Sequence, residues 1–195
     1  MSEPENMADF ITAYGIDFGT TNSTLARVSV DAATADWPRA EAVEIEQPTS
    51  AGAMISAVVP SMVAVHDGQV WLSEGARHMR ALAPDPRKQI VRYRTLFYET
   101  KNEIGTSRTY PGEQGITTLI DVAARILGFI KAGGTEGDGD ANVVATVPAS
   151  FQMRQRQDTM AALQACGPAR GRASAARRTL RRLHWLCVQQ CCEPG

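Results

Sequence analysis

The chain has 195 residues and a formal net charge of −1, and 44% of its residues are hydrophobic. This length supports one domain or two small ones, and this composition excludes a wholly disordered chain. No apolar run reaches the roughly 20 residues that a membrane-spanning helix needs, so we expect no membrane partner. Residues 1–6 are acidic and polar, unlike a signal peptide, which predicts a cytoplasmic protein. Cysteine is too sparse for a small secreted disulfide scaffold.

The first half of the chain predicts mainly strands. Residues 11–17 and 23–30 are rich in apolar and β-branched side chains and flank the turn FGTTN, which predicts a β-hairpin with an unusual loop. Residues 32–52 are polar and irregular, so we expect a loop there with at most one short strand at 42–45. Two further strands are predicted over 57–65 and 69–72, around a His-Asp-Gly turn, followed by a short helix over 74–82.

The second half predicts helices that alternate with a strand. Apolar residues recur at helical spacing over 116–130, Gly133 and Gly134 follow as stop signals, and residues 133–140 are predicted to form a mobile connector. Residues 142–148 predict a buried strand and residues 149–166 a helix, with Gly167 at its C-cap. Together with the hairpin, this order predicts an α/β domain with a mixed sheet and flanking helices.

A sharp change in composition occurs near Gly167. Residues 168–195 contain six arginines and a single acidic residue, Glu193, and they also hold three of the four cysteines. The tail therefore carries a net charge of +5, and the rest of the chain −6. This boundary divides the chain into a flexible N-terminus over 1–10, a domain over 11–167 and a basic tail over 168–195.

The hairpin turn has the residue types of a phosphate-binding loop. Backbone N–H groups can surround phosphate oxygens only where side chains are small, and Gly19, Thr20, Thr21 and Asn22 meet that requirement. Asp17 ends the preceding strand and could hold Mg²⁺ directly or through water. The alternative is a purely structural hairpin turn in which the aspartate acts as a cap, since short Gly/Thr turns are common. No Gly-Lys-Ser/Thr follows, so the loop is not a Walker A sequence.

Three segments resemble the seventy-kilodalton heat-shock protein (Hsp70) chaperone family. YGIDFGTTNSTLARV at 14–28 is similar to its first phosphate motif, VVPSMVAV at 58–65 to the segment after it, and VVATVPASFQMRQRQDTMAALQACG at 143–167 to a later strand and helix. The three segments come in the family's order and at roughly its spacing. The wider actin-like and sugar-kinase superfamily shares a GxDxGT core, but TTNS and VPASF favour the chaperone branch.

The resemblance implies the first lobe of an actin-like ATPase domain with a ribonuclease H-like fold, which binds ATP or ADP with Mg²⁺ between two lobes. By motif, Asp17 matches the acid near Mg²⁺, expected to act through water, while Gly19, Thr20, Thr21 and Asn22 match the phosphate loop. A full-length relative would also bind unfolded client proteins and co-chaperones. No nucleic-acid partner is expected.

The position of the family's catalytic lysine is the main departure from the pattern. An alignment on Asp85-Pro86 puts Arg94 at that position, and Lys88 comes too early. An arginine offers charge, but its planar fork differs from an ammonium group. This branch therefore uses Arg94, or hydrolyses ATP weakly, or Arg94 is a solvated surface cation.

The tail over 168–195 departs from the family altogether, and we expect it to be the product of a frameshift after about residue 167. One legal set of codons for 177–185, read one base later, encodes DEPSAACIG, which resembles the family segment missing there. The excess of arginine over lysine suits a GC-rich gene, in which a shifted frame can stay open. Two other interpretations are a basic amphipathic helix that binds nucleic acid or a membrane, and a zinc site made of His184, Cys187, Cys191 and Cys192, although adjacent cysteines suit tetrahedral zinc poorly.

Two functional hypotheses follow from the sequence. The first is a partial nucleotide-binding domain of an Hsp70-like chaperone, with ATPase activity uncertain for this chain. The second is an inactive truncated fragment or an interaction module without nucleotide turnover. The family's second phosphate loop, a DxGGGT-type sequence, does not occur in these 195 residues, and this feature separates the two.

Overall fold

The computed structural model describes residues 10–31, 39–135, 141–166 and 187–189. Its strands and helices, in chain order, are β1 (Phe10–Asp17), β2 (Asn22–Asp31), β3 (Ala40–Ala42), β4 (Ile45–Thr49), β5 (Gly52–Ser56), β6 (Val59–Pro60), β7 (Met62–His66), β8 (Gln69–Leu72), α1 (Ser73–Leu82), β9 (Leu96–Tyr98), α2 (Leu119–Gly134), β10 (Asn142–Val147), α3 (Met153–Ala165) and β11 (Cys187–Gln189). Among these described helices, none is long and apolar enough to cross a membrane.

A mixed sheet forms the centre of the fold, which confirms the predicted α/β class with a mixed sheet. Its strand order is β11-β10-β1-β2-β3, and β6 pairs with β2 beside this path. β1 runs antiparallel to β2, as the hairpin pattern predicted, and parallel to β10. The register pairs Asp17 with Thr24 on one side and with Thr146 on the other. The end of β1 therefore lies between two strands that can both place side chains beside it.

Helix α2 supplies much of the buried core next to this sheet. Its inward residues follow helical spacing and are almost fully buried: Leu119, Val122, Ala123, Ile126, Leu127 and Ile130. Burying side chains of this kind stabilises the fold by about 1.5–3 kcal/mol for each large one. A Cβ on Gly134 would overlap Leu25 of β2, so the helix ends in close contact with the hairpin.

Several predicted bounds need correction. The segment over 57–65 was predicted as one strand, but it divides at Ser61 into β6 and β7. The helix predicted from residue 149 begins at Met153, after a turn that follows Pro148. Residues 32–52 were predicted to be loop with one short strand over 42–45. This is wrong, because β3 ends at Ala42, and β4 begins at Ile45 and pairs with β5 in a two-stranded sheet. Pro48 lies inside β4, opposite Ala53.

Some predicted features lie outside the described residues or are described only as backbone. The N-terminal residues 1–9, most of the connector near 136–140, and the tail residues 167–186 and 190–195 are outside the described ranges. His184, Cys191 and Cys192 of the zinc hypothesis are among them, and Cys187 is described only as backbone in β11. β11 pairs in parallel with β10 at the edge of the sheet. The division of the chain at residue 167 stays a prediction.

Helix α2 begins at Leu119, three residues later than predicted, because a capping box fixes its start. Thr118 Oγ1 accepts from the Asp121 amide, and the Asp121 carboxylate accepts from the Thr118 amide. Asp121 also accepts from the amide and hydroxyl of Thr117. Burial raises the pKa of Asp121, but these hydrogen bonds more than offset the effect and hold the pKa below its usual value.

This cap predicts a pH-dependent contribution to stability. An Asp121→Ala variant is expected to lose about 1–2 kcal/mol of unfolding free energy at pH 7. Because the folded-state pKa is lowered, the contribution is complete above the ordinary aspartate pKa of about 4 and is lost as pH falls through the lower folded value. Urea denaturation of both proteins across pH 7 to 3 measures this; a difference that stayed constant to pH 3 would contradict the assignment.

Candidate functional site

The turn between β1 and β2 is held tightly against the sheet. The Phe18 side chain is almost fully buried and anchors the start of the turn. A Cβ on Gly19 would overlap the carbonyl oxygen of Asn22, so glycine is required here by the close approach of backbone to backbone. Thr20 is partly exposed, and Thr21 and Asn22 are exposed. The loop therefore presents small polar groups to the surface over a fixed base, as the sequence predicted.

Asp17 lies at the end of β1, exposed, with its carboxylate oriented by the neighbouring strand. Thr146 of β10 donates a hydrogen bond from its hydroxyl to Asp17 Oδ1 at 3.0 Å. This contact follows from the parallel register, which places the two residues side by side. The sequence motif identified Asp17 but gave no sign of Thr146, because the pairing joins residues that are far apart in the chain.

Lys101 is a buried cation directly beside the loop. It lies in a short 3-10 helix, Thr100–Glu103, that follows β9, and its Nζ donates to the carbonyl oxygen of Phe18. The ammonium lies 5.5 Å from the ring centroid of Phe18 and 5.6 Å from that of Phe151. Burial lowers the pKa of Lys101, and the nearby Asp17 carboxylate opposes that shift. The loop, the segment after β9 and the turn after β10 therefore meet at this side chain.

A cavity of about 320 Å³ opens where these three segments meet. Its lining includes Thr20, Lys101, Asn102, Ser150, Phe151 and Gln155. The Thr20 hydroxyl donates to Asn102 Oδ1 at 3.5 Å, which joins the loop to the 3-10 helix. The cavity thus brings one predicted loop residue together with a cation, a hydroxyl and two amides that the sequence analysis did not select.

Arg94, which the alignment put at the position of the family's lysine, does not line this cavity. Its guanidinium pairs with Glu113 at 3.3 Å, is 64% exposed, and lines a separate depression of about 980 Å³ with Lys88 among others. The amides of Arg94, Thr95 and Leu96 all point to the Val91 carbonyl, so this stretch folds back in a tight turn.

Lys101, seven residues after Arg94, is the cation that lies beside the loop. Two features of the sequence could have identified Lys101: it is one of only three lysines in the chain, and it follows the apolar strand β9.

Comparisons with known proteins agree with the resemblance seen in the motifs. The chain is 32% identical over 172 residues to the chaperone protein HscA homolog of Pseudomonas paraeruginosa, 31% over 175 residues to that of Burkholderia ambifaria, and 30% over 171 residues to that of Burkholderia mallei. Each match covers 80% of this chain and 25% of the relative. No family model matches the chain.

The mixed α/β fold and these matches define the class of protein. The relatives are chaperones, and the aligned part includes most of the described fold. The chain belongs to the Hsp70 chaperone family. It spans about a quarter of the length of the curated relatives it matches.

The close approach at Gly19 predicts a specific pair of stability effects. Gly19→Ala is expected to lower the unfolding free energy by about 1–3 kcal/mol, because the new methyl group meets a backbone carbonyl that no side-chain rotation can move. Gly15→Ala in β1 is the matched control, since a Cβ there has no atom within 4 Å, and we expect no loss or a gain below about 1 kcal/mol. Urea denaturation compares the two; equal losses would show that the loop is not constrained at Gly19.

Proposed function

We propose that this chain is the first lobe of an actin-like, ribonuclease H-like ATPase domain of an Hsp70 chaperone. In this proposal the loop from Asp17 to Asn22 holds the phosphates of ATP or ADP together with Mg²⁺. The observation that carries the proposal is the meeting of the glycine-threonine loop with the buried Lys101 ammonium at one cavity. Family membership supports it independently, because the aligned relatives are chaperones.

The residues present fit a phosphate and a divalent cation. Glycine at position 19 leaves the loop backbone uncovered by a side chain, and Thr20 and Thr21 add hydroxyl donors beside it. Asp17 offers an exposed carboxylate, and oxygen ligands of this kind suit Mg²⁺, directly or through water. When bound, Mg-ATP supplies the phosphoryl group that water attacks. The chain's own residues hold the phosphates and balance their charge, which is most of what phosphoryl transfer requires.

Lys101, rather than Arg94, is the cation that we assign to the phosphates. Its ammonium donates to the Phe18 carbonyl and lies close to the rings of Phe18 and Phe151, so little reorganisation is needed to meet an anion. The Asp17 carboxylate favours the charged form of Lys101, because it opposes the lowering of the Lys101 pKa by burial. An ammonium group has three N–H donors, so Lys101 can keep its bond to the Phe18 carbonyl and also donate to a phosphate near Thr20.

The chaperone cycle belongs to a longer protein that contains this lobe. We propose that such a protein uses ATP to control binding of unfolded client proteins and works with co-chaperones. The lobe alone carries one side of the nucleotide site, because the resemblance implies a second lobe that contributes the other phosphate loop and the adenosine contacts.

One pair of substitutions separates the two candidate cations. Lys101→Met is expected to weaken Mg-ATP binding about tenfold, because a charge-assisted contact to phosphate is lost. Arg94→Met, the matched control, removes an exposed guanidinium in a separate depression and should change binding less than about threefold. Both affinities are measured by titrating Mg-ATP into ¹⁵N-labelled protein and following the Thr20 and Thr21 amides; a larger loss for Arg94→Met would restore the arginine assignment.

The 195 residues alone should bind nucleotide weakly and turn it over no faster than background. With half of the contacts, we expect a dissociation constant in the millimolar range, on the order of 4 kcal/mol of binding free energy. Catalysis needs both sides of the site to position the phosphoryl group, so no phosphate release is expected. Amide titrations and a phosphate-release assay measure the two quantities. Micromolar binding, or turnover, would mean that this lobe builds a complete site by itself.

A further inference from the structure

Two buried serines behind the loop form a closed set of hydrogen bonds with Gly19. The Gly19 amide donates to Ser23 Oγ at 3.1 Å, and Ser61 Oγ donates to the Gly19 carbonyl at 2.9 Å. The two hydroxyl oxygens lie 2.9 Å apart. Because the Ser61 proton already goes to a carbonyl, Ser23 is the donor between the hydroxyls. Each hydroxyl donates once and accepts once, which satisfies both buried groups.

The direction of each loop peptide follows from these bonds. In a trans peptide the C=O and N–H groups point in opposite directions, and the described residues contain no cis bond. The peptide between Phe18 and Gly19 has its carbonyl toward Lys101 and its amide toward Ser23. The next peptide has the Gly19 carbonyl toward Ser61, so the Thr20 amide points away from the serines, toward the side of Lys101. Thr20 and Lys101 line the same cavity.

Ser61 also fixes the far end of the loop through its backbone. Its amide donates to the Thr21 carbonyl at 2.8 Å, so by the same trans geometry the Asn22 amide points away from Ser61. The Gly19 amide, which the sequence analysis included among the phosphate donors, is instead occupied by Ser23. In this arrangement, the Thr20 and Asn22 amides point away from the serines and are the donors available to a ligand.

We propose that Ser61 is a positioning residue for the phosphate loop. It belongs to the link between β6 and β7, outside the hairpin, and it acts through the Gly19 carbonyl to aim the Thr20 amide at the ligand. The inference rests on the proposed function, since the ligand is a nucleotide phosphate. It assigns a role to the serine of the VVPS segment that neither the motif nor the cavity lining indicated.

The test compares two serine substitutions of similar structural cost. Ser61→Ala removes the bond to the Gly19 carbonyl. Ser23→Ala leaves that bond in place, frees the Gly19 amide and removes the bond between the two hydroxyls. Both variants lose two bonds of the buried set, so we expect similar decreases in the urea midpoint. Mg-ATP and Mg-tripolyphosphate titrations of the 195-residue chain should weaken about tenfold for Ser61→Ala and less than about threefold for Ser23→Ala.

Two further variants and the spectra without ligand distinguish a positioning role of Ser61 from a general loss of stability. Ser61→Thr retains the hydroxyl and should keep wild-type affinity, while Ser61→Cys retains the volume with a weaker donor and should lose affinity, even if Ser61→Ala does not fold. Without ligand, Ser61→Ala should shift the Thr20 amide resonance and Ser23→Ala the Gly19 amide resonance. Equal losses of affinity for Ser61→Ala and Ser23→Ala, or unchanged affinity for Ser61→Ala, would overturn the positioning role alone. A wild-type chain whose loop amides do not respond to either probe would overturn the proposed function and this inference with it.

Discussion

The buried ammonium of Lys101 is the interaction on which the geometry of the site depends. A buried charge is costly unless polar groups compensate it, and here the compensation comes from the Phe18 carbonyl, two aromatic faces and the Asp17 carboxylate. These partners come from the hairpin loop and from the turn after β10, while the lysine comes from the segment after β9. Because the three segments share one charge, none of them can move far without leaving it unpaired.

The sheet register explains why the partners of Lys101 are available at that point. β1 ends at Asp17 between β2 and β10, so the chain must reverse immediately and the Phe18 carbonyl is left unpaired by the sheet. The Phe18 side chain turns into the core and fixes the direction of its own carbonyl. A hairpin with a longer loop would let the backbone bond to itself, and the lysine would then lack its acceptor. The Lys101 ammonium can therefore be buried here because the loop is short and leaves the Phe18 carbonyl free to accept its hydrogen bond.

Local patterns predicted the parts of the fold that depend on neighbouring residues, and missed the parts that depend on distant ones. The hairpin, α1, α2 and β10 follow from alternation, helical spacing and turn residues within short windows. The β4–β5 pair was missed because Pro48 indicates a loop locally. In a two-stranded sheet each strand has one unpaired edge, and proline is tolerated at such an edge. In the site, Asp17 and the loop were identified by their motif, whereas Thr146, Ser61 and Lys101 reach it only through tertiary packing.

The contacts of residue 101 also explain why a lysine suits this position in a chain that has 17 arginines and three lysines. A guanidinium is planar and presents five N–H donors, so burying it requires several acceptors arranged in its plane. The Lys101 ammonium contacts one carbonyl and two ring faces, which suit a compact ammonium group, whereas a planar arginine fork would need further acceptors arranged in its plane. Arg94, with an exposed fork and a carboxylate partner at Glu113, occupies the kind of surface that an arginine suits. The two cations are therefore not interchangeable, and the shape of the pocket selects the one that lies beside the loop.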